Sequence, residues 1–302
     1  MMNSKHLLII FSALYFLVFF SGCKSTTNTN ENVEDKLDVE IDTTMSTVLK
    51  FNNTLFSIPS PYQLAILIKD LKIDYNKEFL NNTGKAVNYT DNFQKSLNFG
   101  IYGADLGYLN IYEQTPEAIN YFSVMKSMSQ ELGISSAFDK ATISRIENNM
   151  GNKDSLLFIM SNTYRKADSY LKENNRNEMG VLILAGGWIE SLHILTQIAV
   201  NKSAPQQVID RLGEQKHPLD NLIKILSPYY NQSEKFAELL DGLIDLAYEF
   251  DGVNYEYKYK EPTVIPSEKL TIINSSSKII ISQEQLSTIA EKISIIRNKI
   301  IE

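Results

Sequence analysis

Apolar residues run almost unbroken over positions 7–20 and afterwards recur mainly at spacings of three and four. The second pattern predicts helices. Ser60 followed by Pro61 pairs a cap with a proline at the first helical position, opening a helix over 62–71. Thr90 or Asn92 starts a long helix reaching 112, and Thr115-Pro116-Glu117 repeats the start signal for one reaching 132. Asn152 opens a segment with Leu156, Met160, Thr163, Ala167 and Leu171 on one face, and another long helix spans 178–200. Pro205 begins the next, with Val208, Ile209 and Leu212 inward, and His217-Pro218 marks a break. Ser233 starts a strongly amphipathic helix with Phe236, Leu239, Leu240, Leu243, Ala247 and Phe250 inward, and Gly252 is placed to end it.

After 252 the texture changes. Tyr255 to Tyr259 alternates aromatic and charged residues, which reads as an irregular or extended linker with one wet face. Leu270-Thr-Ile-Ile and Lys278-Ile-Ile-Ile flank Asn274-Ser-Ser-Ser, a short hairpin. From Ser282 a final helix places Leu286, Ile289, Ile293, Ile296 and Ile300 in a stripe that should dock on the rest of the chain. The predicted fold is therefore predominantly all-α: a multi-helix array or bundle with a short β-hairpin and an amphipathic helix at the C-terminus. Residues 46–252 form the helical domain, and 253–302 supply the linker, hairpin and helix packed on it.

The first apolar run has a different meaning. Lys5 and His6 precede it, small residues close it, and it is shorter than the roughly 20 apolar residues of a comfortable membrane span, so 1–22 reads as a secretory signal. Phe20-Ser21-Gly22-Cys23 then resembles the lipobox of bacterial lipoproteins, with Phe where Leu is commoner. The resemblance implies cleavage before Cys23 and lipid on that residue, a covalent anchor that holds stably once two or more acyl chains are present. Residues 24–45, rich in Ser, Thr, Asn and acids, read as a flexible tether. Lys24, by analogy with enterobacterial sorting, points to the outer rather than the inner membrane.

Charge and composition narrow the partners. The chain carries a net charge of −7 and a single cysteine. An acidic exterior argues against nucleic acid and gives no polybasic support for lipid binding. With Cys23 modified no disulfide remains, so the exported domain must be held by its core.

Two helices carry clustered glycine: Gly100, Gly103 and Gly107 in one, Gly180, Gly186 and Gly187 in or at the start of the other. Interior helical glycine is destabilising by about 1 kcal/mol against alanine, so the clusters imply close helix packing, expected near Gly103 and Gly187. The same helices correspond faintly at an offset of 85 positions, Asp105-Leu-Gly-Tyr108 lying against Glu190-Ser-Leu-His193. Glu190 and His193 share a helical face, the arrangement that ferritin-like bundles use twice to bind paired metals. Only His193 and His217 follow Cys23, so the paired stoichiometry fails. A single metal held by Glu190, His193, Asp105 and Glu113 is one reading; the other has His193 and Glu190 satisfying each other in a helix interface. Tyr102, Tyr108, Tyr112 and Trp188 gather on the glycine-bearing helices and suit a ligand pocket or an ordinary core. There is no nucleophilic cysteine, zinc-type histidine pair, phosphate loop or serine nucleophile elbow.

Tyr102-Gly103-Ala104-Asp105-Leu106, Gly187-Trp188-Ile189-Glu190 and the lipobox together resemble helical lipoproteins of Gram-negative bacteria that carry no assigned activity. The expected protein is a lipid-anchored envelope protein, periplasmic or surface-facing, whose non-catalytic helical body binds an envelope protein or small ligand and needs no cofactor. The alternative is a metal-dependent enzyme centred on Glu190 and His193, with Asp105, Tyr108 and Trp188 around it.

Overall fold

A computed structural model describes residues 47–51, 54–58, 61–135, 140–149 and 173–302, with isolated positions between 152 and 162. The signal sequence, Cys23, the tether and most of the segment opened by Asn152 lie outside the described residues.

The described chain opens with an antiparallel pair, β1 (Thr47–Phe51) and β2 (Thr54–Ile58), which the helical pattern did not predict. Helices α1 (Pro61–Asp70), α2 (Asn92–Ile111), α3 (Thr115–Glu131) and α4 (Lys140–Asn148) follow. Next come α5 (Asn177–Ala199), α6 (Gln206–Gly213), α7 (Lys216–Leu226), α8 (Glu234–Asp251) and, after a β segment, α9 (Gln283–Ile301). Several boundaries follow from local chemistry. Asp91 caps α2 by accepting from the Gln94 amide, and Ser233 caps α8 by accepting from the Phe236 amide. Ser282 and Gln285 form a reciprocal capping box at the start of α9, satisfying two otherwise orphaned donors.

Two predictions give way to the geometry. His217-Pro218 is not a break but lies in the first turn of α7, where a proline is tolerated because its missing N–H would have no helical partner. The interruption falls at Glu214 and Gln215. The C-terminal strands also pair differently: β3 (Asn254–Lys258) pairs with β6 (Ser276–Ile280), and β4 (Thr263–Ile265) with β5 (Leu270–Ile272). Leu270-Thr-Ile and Ser-Lys-Ile-Ile thus lie in succession along one side of a nested two-stranded ribbon. The tyrosine run, expected as a linker, supplies the opposite side.

Helix α5 is the centre. It is apolar enough to cross a membrane by length and composition, yet 83% of its most apolar window is buried inside the fold. A helix that is apolar all round belongs in a core, and α5 packs against α1, α2, α6, α7 and α9. Its crossing with α2 is unusually tight. A methyl group on Gly100 would sit 2.0 Å from the Ile183 carbonyl oxygen, and one on Gly186 would sit 1.9 Å from the Leu97 carbonyl oxygen. Backbone meets backbone at Gly100 and Gly186, about one turn from Gly103. At Gly187 the nearest such approach relaxes to 3.4 Å.

Helix α2 divides the interior in two. Leu97, Ile101 and Tyr108 join α5, α6, α7, α8 and α9 in the larger apolar cluster. Phe99, Tyr102, Leu106 and Leu109 join Tyr121, Phe122, Met125 and Met128 of α3 in the smaller one.

Candidate functional site

The close α2–α5 crossing brings Asp105 and Glu190 together in the interior, both fully buried. Their partner comes from the far end of the chain. Arg297 of α9 donates from Nε to Glu190 Oε2 at 2.5 Å and from a terminal nitrogen to Glu190 Oε1 at 2.7 Å. The same guanidinium donates to the Phe79 carbonyl at 3.1 Å. This two-pronged geometry is what a guanidinium offers a carboxylate and an ammonium cannot.

Asp105 has a different role. Its Oδ2 accepts from the Asn81 amide at 3.1 Å, while Oδ1 faces no donor. Burial, and then repulsion from Glu190, push the Asp105 carboxyl well above the usual carboxylate range, against the opposing pull of Arg297. A neutral Asp105 fits both observations: a protonated carboxyl removes the repulsion from Glu190, and the trio with Arg297 is then neutral overall. Burial disfavours the charge on Arg297, but Glu190 outweighs it, so the guanidinium is held even more firmly charged than usual.

The segment between α1 and α2, two short turns capped by Asn76 and Asn82, is stitched over these groups. Tyr121 donates to the Asn81 carbonyl at 2.7 Å and Tyr102 to the Asn82 carbonyl at 3.0 Å. The Asn81 side-chain amide donates to Tyr89 and to Asn98, and Asn98 donates to the Ile300 carbonyl at 2.9 Å. The network therefore fastens the loop, α2, α3 and the last turn of α9 to one another. Burial raises the hydroxyl pKa values of Tyr89, Tyr102 and Tyr121, so these groups act as neutral donors and acceptors.

The other candidates are placed elsewhere. His193 does not bond Glu190, whose oxygens both go to Arg297; its Nδ1 faces Ser294 Oγ at 3.4 Å. Burial and then Arg297 lower its pKa to about 3, leaving the ring neutral. Tyr108 packs against Tyr75 and Tyr112 and accepts from the Asn76 amide at 3.0 Å. Trp188 donates its ring N–H to Gln215 Oε1 at 3.2 Å. Glu113 is exposed just past the end of α2 in a left-handed conformation, φ 59°, away from the fully buried Asp105. The four-residue ligand set is not assembled, and among the described residues no group of three or more His, Cys, Asp or Glu is placed to hold a metal ion.

Sequence reasoning missed Arg297 and Asn81. Arg297 was visible in principle: it interrupts the α9 stripe at the position where Ile293 plus four falls, so a cation had to point inward. Asn81 gave no signal, because its partners are set by a loop path without periodicity.

A cavity of about 330 Å³ opens elsewhere, between the start of α2, α8 and α9. Phe93, Leu97, Leu239 and Ile296 make its floor. Its rim is largely self-compensated: Lys235 pairs with Asp91, and Lys292 with Asp245 and Glu249.

No family model, curated protein or solved structure matches the chain. The fold and site define a mainly helical body in which Arg297 of α9 ties to the buried acids Glu190 of α5 and Asp105 of α2.

Proposed function

We propose that the chain is a lipid-anchored protein of the bacterial envelope, attached through Cys23 and sited at the outer membrane. Its helical body binds or scaffolds a partner and performs no reaction. The observation that supports a non-catalytic body is the use made of its buried charged groups. Glu190 gives both oxygens to Arg297, and Asp105 is held by Asn81 and Glu190. These groups bond one another in the interior and do not line the cavity between α2, α8 and α9. A metal at Glu190 and His193 would have to displace a bidentate guanidinium and leave that cation buried without its counter-charge, a costly exchange.

Two measurements test this reading. Mass spectrometry of the mature N-terminus should find acyl chains on Cys23, and an unmodified Cys23 would overturn the anchor. Elemental analysis of the chain beginning at Lys24, purified without added metal and again after reconstitution, should find no stoichiometric iron, zinc or manganese. About one equivalent that disappears with His193→Ala would instead establish the metal-dependent alternative.

A further inference from the structure

Helices α8 and α9 lie antiparallel, and their contacts fix a register: Gly252 lies by Gln285, Asp245 and Glu249 by Lys292, and Gly242 by Ile296. Asp245 and Lys292 close into an ion pair at 2.9 Å. Glu238 and Lys299 lie seven residues further on, in the two opposite senses, and so occupy the next equivalent positions. They do not close. Both line the cavity between α2, α8 and α9, and among the described residues neither makes an ion pair. Once Lys235 and Lys292 are paired, the rim is left with one uncommitted carboxylate and one uncommitted ammonium.

The cavity is held open by its own walls. Lys235 ties α8 to Asp91 at the cap of α2, Lys292 ties α9 to α8, and Asn98 of α2 donates to the Ile300 carbonyl of α9. Each helix is thus fastened to the other two, and the space between them is preformed. Gly242 keeps it clear. It is the one glycine inside α8, at an interior position where glycine is disfavoured, and a methyl group there would already stand 3.2 Å from Ile296. At about 330 Å³ the cavity falls at the small end of ligand pockets, which span roughly 300–1,000 Å³. Its chemistry selects the ligand. The apolar floor takes a hydrocarbon side chain. A simple carboxylate would pair with Lys299 but set its charge against Glu238, and a simple amine would do the reverse. A molecule carrying both charges beside an apolar group satisfies the floor and the rim together.

We propose that this cavity binds a free α-amino acid with a large apolar side chain, its carboxylate on Lys299 and its ammonium on Glu238. The proposal rests on the reading of the helical body as a binding protein and gives that body a site and a ligand class. Its test titrates leucine and phenylalanine calorimetrically into the unlipidated chain from Lys24, which retains every element described. Saturable binding is expected. Isocaproate and isoamylamine, which keep the leucine side chain and lose one charge each, should bind about threefold to fivefold more weakly, the worth of one exposed ion pair. Lys299→Glu should weaken leucine by a similar factor, and adding Glu238→Lys to it should restore binding. Gly242→Leu should fill the cavity and abolish binding; the two exposed charge variants, with unchanged melting temperatures, keep the test sound should Gly242→Leu fail to fold. No saturable binding of either amino acid would overturn the site. Isocaproate binding as tightly as leucine would replace the amino acid by an anionic amphiphile. Leucine binding unmoved by Lys299→Glu would place it elsewhere, and a dimer in sedimentation that the amino acids do not disperse and Gly242→Leu abolishes would make a second copy the occupant. Any of these overturns the proposal alone, because the anchor is read on the mass of the mature N-terminus and the non-catalytic body on its metal content.

Discussion

Arg297 matters less for the energy of its ion pair than for what its loss would leave behind. Both partners are buried, and an unpaired buried carboxylate is destabilising by about 3–5 kcal/mol. Arg297→Met should therefore lower stability by about that amount, while adding Glu190→Gln to it should recover part of the loss. Chemical denaturation of the two single variants and the double variant measures the coupling; a fully additive result would show that the pair is not coupled. The pH response belongs to the neighbours. His193 remains neutral in the fold down to about pH 3, whereas the unfolded chain protonates it below its ordinary value of 6.5. It therefore removes stability as pH falls through that window. Asp105 acts in the opposite sense: its folded pKa is raised, so its contribution is fully present below its ordinary 3.8 and is lost as pH rises toward the folded value. The two slopes oppose each other from about pH 4 up toward 6.5, for as long as Asp105 stays protonated in the fold. Asp105→Asn should leave the His193 slope uncompensated, up to about 1.4 kcal/mol per pH unit. His193→Gln should remove that slope. Urea midpoints at several pH values across the window give the signs directly, and parallel profiles for parent and both variants would refute the assignment.

At the scale of elements, the α2–α5 crossing decides how the core is built. Gly100→Ala would press a methyl into a backbone carbonyl of α5, and backbone does not yield as a flexible side chain does, so a loss of about 3 kcal/mol or more is expected. Gly187→Ala meets only ordinary contact distances and should change stability by less than about 1 kcal/mol. Thermal melts of the two variants compare the two sides of one crossing, and equal shifts would remove the close approach as the cause. The predominantly helical fold with its β segment and C-terminal helix was legible because its signals are local: the Ser233 cap, the Ser282–Gln285 box, and stripes at three and four. Asp105 and Glu190 stood out as acids on glycine-bearing helices. What escaped was decided at long range. Arg297 is 107 positions from Glu190, the ribbon strands pair across intervening chain, and Pro218 reads equally well as a breaker or a first-turn residue.

For the whole molecule, the question is whether the two apolar clusters are separable. They share their walls. Tyr102 and Leu106 of α2 face the smaller cluster while Leu97 and Ile101 face the larger, and α5 contributes Ile183 to one and Ile189 to the other. The polar network adds a second tie, since Asn81 and Asn98 link Tyr121 of α3 to the last turn of α9. Loss of either cluster would therefore strip a face from α2 and α5 and expose apolar area that the other cluster cannot cover. Cooperative unfolding in one step follows, even though a chain of this length is large enough for two modest domains. Trp188, buried in the larger cluster, reports that side by fluorescence. Near-UV dichroism of a variant in which Trp188 is replaced by Phe is dominated by the tyrosines, among them Tyr89, Tyr102 and Tyr121 in the smaller one. Superimposable urea transitions, each referred to its own chain's far-UV midpoint, are expected. A tyrosine transition that precedes the far-UV one would mean that α3 and its cluster come away first, leaving the Arg297 latch to hold α2, α5 and α9 alone.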